Sequence, residues 1–105
     1  MIIILCTTPN DMSIALNLTK TLLHHKLAAC ITLLHEVRSF YYWGNALKEK
    51  DELQLLIKTQ SSLKEAVLNT IQKLHPYKVP EFLVLPIIDG EPNYLSWMQS
   101  VLRKH

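Results

Sequence analysis

The stretch from Ala28 to Thr59 constrains this chain more than any other. Two strand-like runs meet there across Gly44-Asn45. The first is Ala28-Ala29-Cys30-Ile31-Thr32-Leu33-Leu34 and then Val37-Arg38-Ser39-Phe40-Tyr41-Tyr42-Trp43, and its second half is rich in the aromatic and β-branched types that strands prefer. The second run alternates Leu53, Leu55 and Ile57 with Gln54, Leu56 and Lys58, the period of a strand with two different faces. His35-Glu36 reads as a bulge or bend inside the first run. Gly44-Asn45 reads as a hairpin turn, in a less favoured order than Asn-Gly. At about 3.3 Å per residue, each arm outreaches a compact sheet of this size. A free hairpin of that length, with Tyr41, Tyr42 and Trp43 near its tip, would expose unpaired edges and aromatics. The chain is therefore expected to associate with its own copies in a symmetric oligomer.

The flanking segments supply the rest of a fold. Met1 to Thr8 is a short apolar run that fits a buried strand. Asn10 or Asp11 caps a helix on which Ile14, Ala15, Leu18 and Leu22 recur at helical spacing, with Leu16 and Leu23 widening the face. His24, His25 and Lys26 fall in its last turn, where the helix dipole favours positive charge. Ser62-Leu63-Lys64-Glu65 is a capping box for a second helix through Leu63, Val67, Ile71 and Leu74. Phe82 to Ile88 forms a last strand, Asp89-Gly90 turns the chain, and a closing helix carries Tyr94, Leu95, Trp97, Met98, Val101 and Leu102. Tyr94 and Trp97 are expected as core or interface anchors. The order β-α-β-β-α-β-α predicts an α+β fold: a ferredoxin-like βαββαβ antiparallel sheet with a long central hairpin and an extra C-terminal helix. At 105 residues it makes one domain, 1–105.

Eleven basic against nine acidic residues is too even a balance to argue for nucleic acid. The only charge run, Lys48-Glu49-Lys50-Asp51-Glu52, mixes signs and reads as a solvated hairpin tip. No apolar run approaches the roughly 20 residues of a membrane span, and no basic leader accompanies Ile2-Ile3-Ile4-Leu5. Two cysteines without a CxxC pair are expected as free thiols in the cytoplasm. Enzyme signatures are missing. There is no GxSxG, and two glycines in the whole chain make no phosphate loop. Acylphosphatases and RNA-recognition domains share the topology. The first need an arginine cradle and the second a basic, glycine-rich strand, and neither is recognisable here.

The densest chemistry lies in His75-Pro76-Tyr77-Lys78-Val79-Pro80-Glu81, where two prolines stiffen a run of imidazole, phenol, ammonium and carboxylate. Such a loop reads either as a site or as a shaped helix-to-strand crossing. Lys58, Tyr77 and Glu81 converge if the loop lies near the end of the third strand. They would then bind an anionic or zwitterionic small molecule in a subunit cleft, or fix the loop by a hydrogen-bond network. His24, His25, His35 and His105 show no spacing that pairs imidazoles on one helix face, and are expected as surface residues.

Five motifs together resemble the CutA divalent-cation tolerance family: Lys26-Leu27-Ala28-Ala29-Cys30, the aromatic strand Ser39 to Trp43, Leu56-Ile57-Lys58-Thr59, the loop His75-Pro76-Tyr77 with Val79-Pro80-Glu81, and Tyr94-Leu95-Ser96-Trp97. They occur in register across essentially the whole chain. The resemblance implies a cytoplasmic homotrimer whose long hairpins pair between subunits, Tyr42 and Trp43 contributing to the cleft or trimer contacts. It implies a role in the response to copper or another divalent cation, with no enzymatic reaction. Cys6 and His75 match the positions to which copper binding is attributed, zinc being the alternative ion, while Leu74 stands where some members have a second histidine. A cysteine ending an apolar strand also reads as a small buried hydrophobe. By fold analogy with the trimeric nitrogen-regulatory proteins, the clefts are expected to suit a small molecule or a protein partner. Two departures stand out: His35-Glu36 replaces a common Pro-Gly, and Trp43-Gly44-Asn45-Ala46 replaces a Trp-x-Gly-Lys turn.

Overall fold

A computed structural model describes residues 1–104. Its elements are β1 (Ile2–Pro9), α1 (Met12–His24), β2 (Cys30–Trp43), β3 (Ala46–Thr59), a 3₁₀ turn at Ser61–Leu63, α2 (Lys64–Leu74), β4 (Leu83–Pro86) and α3 (Pro92–Val101). The sheet order is β2-β3-β1-β4 with every neighbouring pair antiparallel. This is the expected ferredoxin-like arrangement, with the expected hairpin and extra helix.

Alternation along the strands sorts the sheet into two faces. Ile2, Ile4, Cys6, Leu53, Leu55 and Ile57 are buried and meet Ala15, Leu18 and Leu22 of α1 and Val67 and Ile71 of α2. Ile3, Leu5 and Thr7 turn the other way, opposite Lys58, Leu56 and Gln54 of β3, and no helix α1 or α2 side chain joins them in the core. Leu83 and Leu85 stand opposite Leu5 and Ile3 on that second face, roughly half exposed. The α1 face is narrower than its sequence implies, because Leu16 and Leu23 are exposed. Two helices covering one small sheet leave α1 room for a single stripe of contact.

Four local features differ from or refine the sequence expectations. Between Leu34 and Val37 the β2–β3 register shifts, so two residues face one, and Glu36 takes φ 61. The bulge is thus made by a glutamate in the left-handed region that glycine usually occupies. At the tip only Gly44 has positive φ (63), which is the demand of a II′ hairpin turn and explains why glycine comes first. The capping box at Ser62 is not formed. A 3₁₀ turn occupies Ser61–Leu63 and α2 begins at Lys64 with no side-chain cap. The tighter turn carries Leu63 fully into the core so soon after Thr59. β4 is also shorter than Phe82–Ile88, since Pro86 lacks an N–H, although the Ile87 amide still donates to the Met1 carbonyl.

Candidate functional site

α2 stops at Leu74, and His75 leaves it in extended geometry (φ −82, ψ 135), as a residue before proline must. From there the proline loop passes the end of β1 and reaches the open sheet face. His75 is buried and held from both sides. Its Nδ1 accepts from the Tyr77 amide at 3.0 Å, which fixes the proton on Nε2, and Nε2 donates to the Thr7 carbonyl at 2.6 Å. Neither ring nitrogen keeps a lone pair for another partner. The Tyr77 hydroxyl donates to Glu52 at 2.9 Å, and its ring lies 4.7 Å from the Lys50 ammonium and 4.8 Å from the His75 ring. Burial and the Glu52 carboxylate together push the Tyr77 phenol up to about 12. Glu81 accepts from Gln54 Nε2 at 3.1 Å, and the same amide reaches the Cys6 carbonyl at 3.2 Å. The loop is thereby pinned to β1 and β3 along its length.

Cys6 faces the opposite way. Its side chain is fully buried in the helix-side core. Burial first, then the charges of Glu81 and Glu52, push its thiol from 9.0 up to about 12. It is a protonated small hydrophobe at neutral pH. Among the described residues no group of three or more His, Cys, Asp or Glu side chains is placed to hold a metal ion.

The expected Lys58, Tyr77 and Glu81 constellation is split. Tyr77 and Glu81 share the loop network, whereas Lys58 lies further along β3. Four residues from Gln54 at strand rise is about 13 Å. The Lys58 ammonium instead lies 3.4 Å from the Thr32 hydroxyl, 4.0 Å from the Cys30 sulfur and 6.0 Å from the Tyr94 ring centroid. Tyr42 and Trp43 stand at the hairpin tip, 71% and 69% exposed, remote from both groups along the strand. A hollow of about 530 Å³ beside the bulge is lined by Asn10, Met12, His35, Arg38, Glu52 and Leu53 among others. Of the polar network, only Glu52 reaches it.

Glu52 is the residue that sequence reasoning placed wrongly. It belongs to the charged run, yet it is only 5% exposed and anchors Tyr77. Lys48 to Asp51 are exposed as expected, and Arg38 pairs with Glu49 and Asp51. The available signal was parity. Glu52 shares a strand face with Gln54, Leu56 and Lys58, just where the hairpin leaves the core. Tyr94 and Trp97, their rings tilted at 40° with centroids 5.5 Å apart, are 41% and 44% exposed and so are not core residues of the single chain. His24, His25 and His35 are exposed as expected, and His105 lies outside the described residues.

Residues 2–101 match the family described as CutA1 divalent ion tolerance protein. The divalent-cation tolerance protein CutA of Pectobacterium atrosepticum is 45% identical over 102 residues, spanning 97% of this chain and 92% of its own. That of Yersinia pestis strain Pestoides F is 46% identical over 101 residues, spanning 96% and 84%. Among solved structures, CutA1 from Oryza sativa is similar with a TM-score of 0.95 at 33% identity, covering 99% of this chain and 94% of that one. CutA1 from Pyrococcus horikoshii gives 0.92 at 35% identity, covering 99% and 100%.

Proposed function

Because the chain belongs to the CutA1 divalent ion tolerance family, we propose that it acts as a homotrimer in cytoplasmic tolerance of divalent cations, copper among them. The family is defined by tolerance of ions rather than by a catalysed reaction. The observation that carries the assembly is apolar surface without a partner. Leu34, Leu83 and Leu85 lie half exposed on the open face, and Phe40, Tyr42, Trp43 and Leu47 are 58% exposed or more along the hairpin. Exposed apolar surface of this extent on both faces of a hairpin marks interfaces. Light scattering coupled to size exclusion tests it: a trimer is expected, and a monomer at micromolar concentration would overturn the reading.

Copper, or zinc in its place, would look to Cys6 and His75 for soft donors. As folded, the two do not fit a resident ion. The thiol is buried and protonated, and both imidazole nitrogens are engaged. Our reading therefore assigns cation contact to surfaces that the assembly brings together, not to a closed centre within one chain. Calorimetric titration of the reduced protein with Cu(II) and Zn(II) is expected to give the same affinity for wild type, Cys6→Ser and His75→Ala. Loss of binding in both variants would restore the Cys6–His75 site.

A second reading, a signalling or scaffold trimer, is favoured by the loop network and by Lys58, which among the described residues has no carboxylate partner, on one sheet face. Here the clefts take a small anionic molecule or a protein partner. A metabolite thermal-shift screen on wild type and Lys58→Ala separates it from the first: a shift lost in the variant supports it, and no shift with any compound counts against it.

A further inference from the structure

We propose that Cys30 and Lys58 form an oxidant-generated latch, a covalent sulfur–oxygen–nitrogen bridge across the base of the hairpin. The two residues are direct partners in the β2–β3 register and point to the same open face. Beside them the Ala29 amide donates to the Lys58 carbonyl at 2.8 Å, so the strands cannot slide to separate the pair. Sγ and Nζ are 4.0 Å apart, with only the Thr32 hydroxyl, at 3.4 Å, as a closer polar neighbour of the ammonium. No carboxylate competes: among the described residues the side-chain ion pairs are those of Arg38. The chain's two thiols are thus in contrasting states. Cys6 is sealed in the core, while Cys30 is half buried beside an amine on a flexible stem.

The chemistry uses hydrogen peroxide as the oxidant. The Cys30 sulfur attacks the peroxide bond, taking one oxygen to become a sulfenic acid and releasing water. A second peroxide oxidises the Lys58 nitrogen, whose ammonium proton passes to solvent, to a hydroxylamine, again with loss of water. The hydroxylamine oxygen then attacks the sulfenic sulfur and expels its hydroxyl as a third water. Thiol, amine and two peroxides become one bridge and three waters. The product removes the Lys58 charge from the open face and staples β2 to β3.

The test is intact mass and proteolytic mapping of the full chain after peroxide treatment. A species with one added oxygen and two hydrogens fewer is expected, with Cys30 and Lys58 in one cross-linked peptide that dithiothreitol releases. Cys30→Ser is expected to abolish it. Lys58→Arg is expected to abolish the cross-link while dimedone still traps Cys30 as its sulfenic acid, which shows that the sulfur remains accessible to peroxide. Identical oxidation of Cys30 to sulfinic acid in wild type and Lys58→Arg, without a cross-linked peptide, would overturn the proposal. So would a cross-link that maps to Cys6.

Discussion

Single residues in this protein often hold conformations that their type does not favour. Lys26 ends α1 at φ 56, with its own amide bonded to Leu23 and that of Leu27 to Leu22, the double closure of a Schellman cap. A side chain there costs about 1 kcal/mol, so Lys26→Gly is expected to raise stability by up to that amount in a urea titration. Lys26→Val should lower it. Cys6 makes a pH prediction. Unfolded, the thiol loses its proton near pH 9, while the folded chain keeps it to about pH 12. Its contribution to stability is full below pH 9 and is lost as pH rises from 9 to about 12. Cys6→Ala should therefore flatten the alkaline limb of a stability–pH curve, and an unchanged limb would contradict the burial argument. At this scale the sequence was legible where a residue type forces geometry. The proline after His75 ended α2, and the lone glycine at the tip announced the turn. It was opaque where partners decide. Glu52 and His75 are buried because Tyr77 and Thr7 lie beside them in space, 25 and 68 residues away in sequence.

The elements were read well in kind and less well at their ends. Strands and helices follow from hydrophobic period, which is set by each segment alone. Ends depend on how tightly the next element must dock, as at Leu63 and Pro86. The bulge is the element-scale feature with most leverage. Two residues facing one keep Leu34 on the open face with Gln54 and return Val37 to it opposite Glu52. Deleting Glu36 removes the extra residue, and regular alternation from Leu34 through His35 then still brings Val37 opposite Glu52 on the same face. Arg38 would stay opposite Asp51, and Phe40 and Tyr42 would keep their faces, so that only the local bend of the hairpin is lost. The deletion variant is expected to stay folded and to keep the β2–β3 register with a straighter hairpin, read by circular dichroism; loss of the proposed oligomer in light scattering would then show that the bend, not the register, sets the interface. Glu36→Gly should keep the oligomer and stabilise the chain, because it supplies the same φ without strain.

For the whole molecule, a compact chain of this length would have a radius of gyration of about 13 Å. The observed 14.4 Å and the extents of 46 × 26 × 22 Å record the hairpin reaching beyond the core. An arm that long stabilises little within its own subunit, so its value lies in what it meets. Leu85→Asp, on the open face opposite Ile3, is expected to shift the proposed trimer toward monomer with little loss of helical signal. A trimer unaffected by it would place the interface elsewhere. The sheet order bears also on how the chain is made. β1 leaves the ribosome before the other strands, yet it is a central strand whose two neighbours, β3 and β4, are made later. Until residue 86 has emerged, Ile2-Ile3-Ile4-Leu5 is a β-prone apolar segment with at least one edge open. The nascent protein must keep this apolar strand waiting until both of its sheet neighbours have been made.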